Sequence, residues 1–212
     1  MLPGSGDAVT NGAVDPELVE RAAAVLKGGG IVAMRTDTQY GLLASVNRHD
    51  ALRRLAELKR RAEDKPFLLL ASDWIGVRSV TRSLPPVARM LGARHWPGPL
   101  TLVLPAEAGL PGEVIGAGPT VAVRVPGDPL LLAIVGAVRC AVAAPSANPA
   151  GEPPARSAEE VRARFGDAVD LVIDGGVAEE IPSTVVNCTG RSAEIIREGA
   201  LALTPGDLEI RT

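Results

Sequence analysis

The densest set of cationic side chains in the sequence runs from Lys59 to Pro66, in the order Lys-Arg-Arg-Ala-Glu-Asp-Lys-Pro. The protein has three lysines and nineteen arginines, yet two of the lysines fall within this short segment. A lysine is a compact charge with rotatable donors, whereas an arginine is a rigid bidentate fork. Together these groups suit phosphate or carboxylate oxygens. From composition alone, a solvated basic turn is an equally good interpretation.

Further clusters of polar side chains lie where predicted strands begin or end. They are Thr36–Tyr40, Ser146–Asn148, and Ser183 and Thr184 together with Arg124 and Arg197. These clusters supply hydroxyl, amide and cationic groups, but almost no carboxylate, histidine or thiol. A site of this kind positions anions and neutralises developing charge, as phosphoryl and nucleotidyl transfer require. The residues therefore favour a nucleotide-using transferase over a hydrolase with acid–base machinery.

The segments that must position these clusters alternate between helical and extended patterns. Asp15-Pro16-Glu17 opens a helix, because Asp caps it, Pro suits its first turn and Glu favours the positive end of its dipole. Gly28–Gly30 ends this helix; dinucleotide-binding glycines instead follow a strand and open a helix. Further helices are predicted at Ser72–Val80, Pro85–Arg94 and Pro129–Val138, and buried strands at Ile31–Met34, Phe67–Ala71, Leu100–Leu104 and Val121–Val125. The alternation, with hairpin-like strand pairs, predicts a single α/β domain with a mixed sheet.

Two segments have no regular pattern. Residues 1–14 lack periodicity and are expected to form a flexible tail, which leaves 15–212 as the domain. Residues 105–119 are rich in Gly and Pro and predict a long irregular loop, of the length that compact domains keep for lids or mobile segments. Within the strand that follows, Arg124 stands among valines. An arginine there lies at a sheet edge, faces water or points into a polar cavity, and the sequence does not choose among these.

Composition narrows the class of protein. A chain of 212 residues with 46% hydrophobic and 22% charged residues is typical of a soluble globular protein. Its net charge of −3 gives no indication of non-specific nucleic-acid binding. With only 2% aromatic residues, the sequence also does not favour recognition of single-stranded nucleic acid by base stacking. We expect a cytoplasmic protein, because no segment is typical of a signal peptide or membrane span. Cys140 and Cys188 are too few for a zinc site and lie in apolar runs that favour buried thiols.

Seven short motifs occur in order, and together they resemble the YrdC-type family of L-threonylcarbamoyladenylate synthases. They are Thr36-Asp37-Thr38-x-Tyr40-Gly41, Lys59-x-Arg61 with Lys65-Pro66, Pro97-Gly98-Pro99-Leu100-Thr101, Arg124-Val125-Pro126, Ser146-Ala147-Asn148, Ser183-Thr184-Val185 and Arg197-Glu198-Gly199. The resemblance covers roughly residues 17–203. It implies one α/β domain whose twisted sheet surrounds a large positively lined cavity. It also implies an activity: ATP, bicarbonate and L-threonine give threonylcarbamoyl-AMP and pyrophosphate.

The resemblance also implies residue roles. Lys59, Arg61 and Lys65 are the expected catalytic cations, and Thr38, Tyr40, Arg124 and Ser183 the expected threonine-binding residues. Arg61, Lys65, Ser146, Asn148 and Arg197 are the expected ATP-binding residues. Mg²⁺ is expected to arrive with ATP, without a tightly bound metal held by the protein. A downstream complex that transfers the threonylcarbamoyl group to tRNA is the expected partner, together with a weak direct contact with tRNA.

The sequence departs from the family pattern at Arg35, where proline is common, and at Gln39, where an apolar residue is common. Both changes flank the expected threonine pocket, so threonine specificity is less secure than nucleotide use. A related carbamoyl transferase is one alternative function, and it predicts fused domains with other motifs. A non-catalytic module that binds tRNA or double-stranded RNA is another. That module needs Lys59 and Arg61, but neither Thr38 nor Ser183.

Overall fold

The structure is a computed structural model that describes residues 14–60, 66–115, 118–179, 181–190 and 192–209. Within these ranges the chain forms nine strands and six α-helices. The helices are α1 (Pro16–Lys27), α2 (His49–Leu58), α3 (Trp74–Val80), α4 (Pro86–His95), α5 (Pro129–Val138) and α6 (Ala158–Phe165). The strands are β1 (Val32–Arg35), β2 (Tyr40–Ser45), β3 (Leu69–Leu70), β4 (Leu100–Pro105), β5 (Thr120–Arg124), β6 (Val142–Ala143), β7 (Leu171–Ile173), β8 (Thr184–Asn187) and β9 (Glu194–Arg197). Short 3-10 helices lie at Gly112–Val114, Gly166–Ala168 and Pro205–Asp207. The expected tail at 1–14 lies outside the described residues except for Val14.

The strands of the described chain form one sheet in the order β7-β1-β2-β6-β3-β5-β4-β8-β9. Strand β1 runs parallel to β7, β3 to β5 and β4 to β8, while the remaining neighbours are antiparallel. The hairpins β1–β2, β4–β5 and β8–β9 account for three of the antiparallel pairs. These observations confirm the predicted α/β class and the mixed sheet in one domain.

Helices cover both faces of this sheet, because successive strand residues point to opposite sides. Helices α1 and α5 pack on one face, where Leu26 and Ile134 share a core with Leu43 and Leu70. Leu69 belongs instead to the core on the other face, which also contains buried side chains of α2, α4 and α6. The sheet is therefore a buried middle layer. It fixes the positions of the side chains at its strand ends and in its connecting loops.

Strand β3, in the middle of the sheet, is shorter than the sequence predicts. An extended run was predicted over Phe67–Ala71, but β3 contains only Leu69 and Leu70. Backbone pairing nevertheless continues on both sides of it: Ala144 N donates to Leu68 O at 2.8 Å, and Ala71 N donates to Arg124 O at 2.9 Å. The prediction located the extended chain correctly and overestimated its regular part, because apolarity alone does not show where a ladder ends.

The predicted irregular loop between β4 and β5 is attached to the core at its middle. Its described residues include the 3-10 helix Gly112–Val114, and Val114 is fully buried. Phe67 N also donates to Glu113 O at 2.7 Å. The centre of this connection is therefore a packed part of the domain.

Candidate functional site

A cavity of about 260 Å³ collects most of the polar clusters identified in the sequence. It is lined by Thr36, Thr38, Gln39, Tyr40, Gly41, Pro66, Leu68, Thr101, Ala122, Arg124, Ala144, Pro145, Ser146, Pro182, Ser183, Val185 and Arg197. No Asp, Glu or His occurs among these described lining residues. The wall thus combines hydroxyl and guanidinium groups with small apolar surfaces, as expected of a site that binds anions without a carboxylate or imidazole base.

The cavity draws its residues from opposite ends of the strands. Strand β3 pairs in parallel with β5 and antiparallel with β6, so β5 and β6 run in opposite directions. Arg124 ends β5, whereas Ser146 follows β6, and yet both residues line the cavity. The chain between β1 and β2 also contributes Thr38 to the wall. Pairing directions therefore show a site that extends across the sheet, not one confined to a single edge.

Lys59 lies immediately behind the part of the wall formed by Ser146. Helix α2 ends at Leu58, so its last turn delivers the lysine, whose residue is only 4% exposed. The Lys59 Nζ donates to Ser146 O at 2.6 Å and to Asn148 Oδ1 at 2.9 Å. Ser146 Oγ also donates to Asn148 Oδ1 at 2.6 Å. Lys59 and Asn148 thus support the loop that presents the Ser146 hydroxyl, although neither of them lines the cavity.

The same loop is fixed from its other side by the amide of Asn148. Asn148 Nδ2 donates to Pro149 O at 2.9 Å and to Glu152 O at 2.6 Å, while Ala150 N donates to Lys59 O. The predicted residues Lys59, Ser146 and Asn148 therefore form one hydrogen-bonded network. Arg61 and Lys65, the other predicted cations of this region, lie outside the described residues.

Arg124 is a buried cation with incomplete hydrogen bonding. Its side chain is 3% exposed. The pKa of the guanidinium is lowered from its usual value, mainly by burial; the charge of Asp37 raises it and that of the nearby Arg197 lowers it further. Arg124 Nη1 donates to Thr38 Oγ1 at 3.2 Å, and Nη2 lies 3.1 Å from Asp37 Oδ1. Arg124 Nε has no hydrogen-bond partner within the described chain. Of the three locations that the sequence left open, the structure selects the polar cavity.

Ser183 and Arg197 meet on the far side of the cavity. Arg197 donates to Ser183 O through Nη2 at 2.8 Å and through Nε at 3.2 Å, which fixes its guanidinium against the chain before β8. Partial desolvation lowers the pKa of Arg197, although the residue as a whole is exposed. The Ser183 hydroxyl forms a 2.8 Å hydrogen bond with Thr101 Oγ1, and both side chains are almost fully buried.

Tyr40 is a lining residue of the cavity, and its hydroxyl is bound to backbone. Tyr40 Oη donates to Gly176 O at 2.9 Å and accepts from Gly175 N at 3.2 Å. Burial raises the pKa of this phenol. Tyr40 therefore attaches the connection between β7 and β8 to the rim of the cavity.

Several residues of the wall received no role from sequence reasoning. Thr101 is one, because a single threonine in an apolar strand is common; its position in a family-like motif was the available signal. Thr36 is another: its Oγ1 donates to Gln39 O and accepts from the amides of Thr38 and Gln39, which shapes the β1–β2 turn. Of the two departures from the family pattern, Gln39 lines the cavity, whereas Arg35 packs its Cβ near Gly175.

These features define an α/β protein whose mixed sheet carries a cavity lined by hydroxyl groups and arginines. The chain belongs to the family of Sua5, YciO and YrdC, described as telomere recombination, whose sequence pattern matches residues 24–199. A threonylcarbamoyl-AMP synthase from Halorhodospira halophila is 38% identical over 187 residues, covering 86% of this chain and 95% of that protein. One from Pyrococcus abyssi is 36% identical over 183 residues, covering 86% of this chain and 54% of that protein.

A similar structure is that of Pyrococcus abyssi Sua5 complexed with L-threonine. It matches with a TM-score of 0.85 at 34% identity, over 89% of this chain and 56% of that one. The chain thus spans about half the length of the Pyrococcus relatives that it matches. In the described part of the chain, no helix has the length and apolarity needed to cross a membrane.

Proposed function

We propose that this protein is an L-threonylcarbamoyladenylate synthase. In the proposed reaction the threonine amine and bicarbonate form a carbamate with loss of water. A carbamate oxygen then attacks the α-phosphorus of ATP, and the bond from that phosphorus to the pyrophosphate oxygen breaks. The products are threonylcarbamoyl-AMP and pyrophosphate. The observation that carries the proposal is a single cavity in which Thr38, Ser146, Ser183 and two arginines meet.

We propose Arg124 and Thr38 as the groups that bind threonine. A buried guanidinium without a full set of hydrogen bonds favours a carboxylate, which accepts two parallel N–H donors. Arg124 is such a group, since Nε has no partner in the described chain. The Thr38 hydroxyl lies 3.2 Å from its Nη1 and suits the hydroxyl or carboxylate of threonine. Ser183 and the ring of Tyr40 complete this pocket. The Pyrococcus protein that was determined with L-threonine supports the assignment by similarity.

We propose that ATP binds beside this pocket, with Ser146 and Arg197 as its contacts, and that Asn148, predicted from the sequence as a further contact, holds the Ser146 loop from behind. The cavity volume of about 260 Å³ is slightly below the ~300–1,000 Å³ that is common for ligand pockets. An amino acid fits within it, and the nucleotide must extend through the mouth. Arg197 supports a phosphate role because two of its nitrogens bind Ser183 O, which fixes the direction of the guanidinium.

Lys59, Arg61 and Lys65 are the proposed cations for the charge that develops as pyrophosphate leaves. Preorganised donors contribute most to catalysis when they are fixed before the reaction begins. The ammonium group of Lys59 meets that condition, since Ser146 O and Asn148 Oδ1 hold it at 2.6 and 2.9 Å. In this arrangement the charge acts from directly behind Ser146.

We propose that Mg²⁺ arrives with ATP and is held by its phosphates and by water. Mg²⁺ usually keeps several waters and takes one or two carboxylates. Among the described residues no group of three or more His, Cys, Asp or Glu side chains is placed to hold a metal ion. The hydroxyl groups of the wall suit the water ligands of such a complex.

We propose that the product passes to a partner enzyme that modifies tRNA, and that the protein acts in the cytoplasm.

The test is pyrophosphate release from MgATP by the purified protein. We expect release to require both L-threonine and bicarbonate, and to be lost when either is omitted. Release that proceeds without threonine, or no release under any of these conditions, would overturn the proposal. In the latter case, RNA binding that weakens steeply with salt would favour the non-catalytic alternative.

A further inference from the structure

Asp37 joins the β1–β2 turn to the end of β5 through both of its carboxylate oxygens. Oδ1 forms an ion pair with Arg124 Nη2 at 3.1 Å, without hydrogen-bond geometry, and Oδ2 accepts from Gly127 N at 3.0 Å. The carboxylate therefore spans the turn that follows Arg124. Because Thr38 is the next residue along the chain, the same link sets the distance between the Thr38 hydroxyl and the guanidinium.

A carboxylate is an unexpected neighbour for an anion site, because it repels the ligand that the arginine attracts. The burial of Arg124 explains its presence, since a buried charge with no counter-charge strongly destabilises a fold. The Arg124 side chain is 3% exposed and that of Asp37 13% exposed. The neighbouring Arg197 adds like charge, which increases the need for a fixed counter-charge.

The fit around Asp37 is close. A Cβ on Gly127 would lie 3.3 Å from Asp37 Oδ2 and 3.3 Å from Gly98 Cα. Gly98 N in turn donates to Val125 O at 2.9 Å. The carboxylate thus reaches a backbone amide in a space that a side chain at 127 would narrow, which limits its movement on the side away from Arg124.

We propose that Asp37 is a positioning residue for threonine recognition, acting by holding the Arg124 guanidinium and the Thr38 hydroxyl in one orientation. This inference rests on the proposed function, because it takes threonine as the ligand of Arg124. Asp37 itself need not touch the substrate. Its removal is expected to weaken threonine binding and to leave ATP binding largely unchanged.

The test compares Asp37→Asn with Asp170→Asn. Asparagine at 37 keeps an oxygen for Gly127 N and removes the charge that faces Arg124. Asp170 is a matched control, since its Oδ2 accepts from Ile31 N at 2.7 Å and from Arg54 Nη2 at 3.1 Å. It has the same kinds of partner, an arginine and a backbone amide, although a single oxygen contacts both and the pair is more exposed; it lies at the other end of β1 and does not line the cavity.

Calorimetric titration with L-threonine and the KM for ATP give the two readouts. We expect Asp37→Asn to raise the Kd for threonine about 10- to 100-fold, the range for a displaced positioning group. Its KM for ATP should stay within about threefold of wild type, and Asp170→Asn should change neither value. If Asp37→Asn folds poorly, Gly127→Ala is the second variant. It should shift the carboxylate by a few tenths of an ångström and raise the threonine Kd about two- to fivefold.

Unchanged or tighter threonine binding by Asp37→Asn would overturn the inference, as would equal losses for threonine and ATP. The proposed function fails differently: wild-type protein would then bind threonine without releasing pyrophosphate. That result leaves the role of Asp37 in threonine binding intact.

Discussion

Replacing Lys59 with alanine tests whether the buried ammonium serves the chemistry or only the fold. The change removes the donor at 2.6 Å from Ser146 O and 2.9 Å from Asn148 Oδ1. Hydrogen bonds to charged groups contribute about 1.5–3 kcal/mol each. Removal of a buried charge offsets part of that loss, and Asn148 Oδ1 keeps the Ser146 hydroxyl as a donor. We therefore expect the free energy of unfolding to fall by about 2–4 kcal/mol.

The expected loss of rate is separate from this loss of stability. Removal of one preorganised donor commonly lowers kcat ~100- to 1,000-fold, equivalent to ~3–4 kcal/mol of transition-state stabilisation. The assay is steady-state pyrophosphate release with threonine and bicarbonate saturating, normalised to the folded fraction measured by circular dichroism. Lys27→Ala is the control, because this lysine is exposed in the last turn of α1. It should match wild type in both measurements.

The two measurements together decide the role of Lys59. Near wild-type release by the folded fraction of Lys59→Ala would contradict a catalytic role, even if stability falls as calculated. In that case the lysine would serve only to fix the Ser146 loop. A loss of rate with a normal KM for threonine would agree with charge that acts at the phosphates.

Three further predictions concern the framework. Gly199→Ala would place a Cβ 2.6 Å from Ser183 O, so we expect the free energy of unfolding, measured with urea, to fall by ~1–3 kcal/mol. Gly112→Ala is the control: no heavy atom lies within 4 Å of its Cβ, and its free energy of unfolding should stay within ~0.5 kcal/mol of wild type. Burial raises the pKa of the Cys188 thiol to about 12 from 9.0, so the folded state keeps a proton that the unfolded state releases. Stability should therefore fall by about 1 kcal/mol per pH unit as pH rises above 9, and an equal slope in Cys188→Ala would contradict this. A thiol reagent should modify the half-buried Cys140 in the folded protein, and Cys188 only after unfolding. Rapid modification of both cysteines in the folded protein would contradict the burial of Cys188.

The sequence predicted which polar clusters contribute to one cavity better than it predicted how they meet there. Local chemistry was informative where residue types were unusual for their context, as for Thr38 in a strand-end turn and Arg124 among valines. Both residues line the cavity. Capping was equally readable: Asp15 accepts from Glu17 N, and α1 begins at Pro16 as predicted. These features depend on short stretches of chain, which a single sequence displays directly.

Long-range pairing was not readable in the same way. Asp37 and Gly127 are ninety residues apart, and only the order of strands brings them together. The position of Lys59 behind Ser146 depends likewise on how α2 and β6 lie on the sheet. The sequence indicated that Lys59 belongs with the anion-binding groups, but residue types do not distinguish a cation in the wall from one that supports it.

The two arginines of the cavity are held by different kinds of partner. A cation needs partners before the substrate arrives, yet a carboxylate partner cancels the charge that the substrate requires. Arg197, which is exposed, donates through two nitrogens to the carbonyl of Ser183. This neutral dipole satisfies the donors without removing the positive charge. Arg124, which is buried, has the carboxylate of Asp37 as well as the hydroxyl of Thr38. In this way a protein of net charge −3 maintains a cationic cavity suited to anionic substrates.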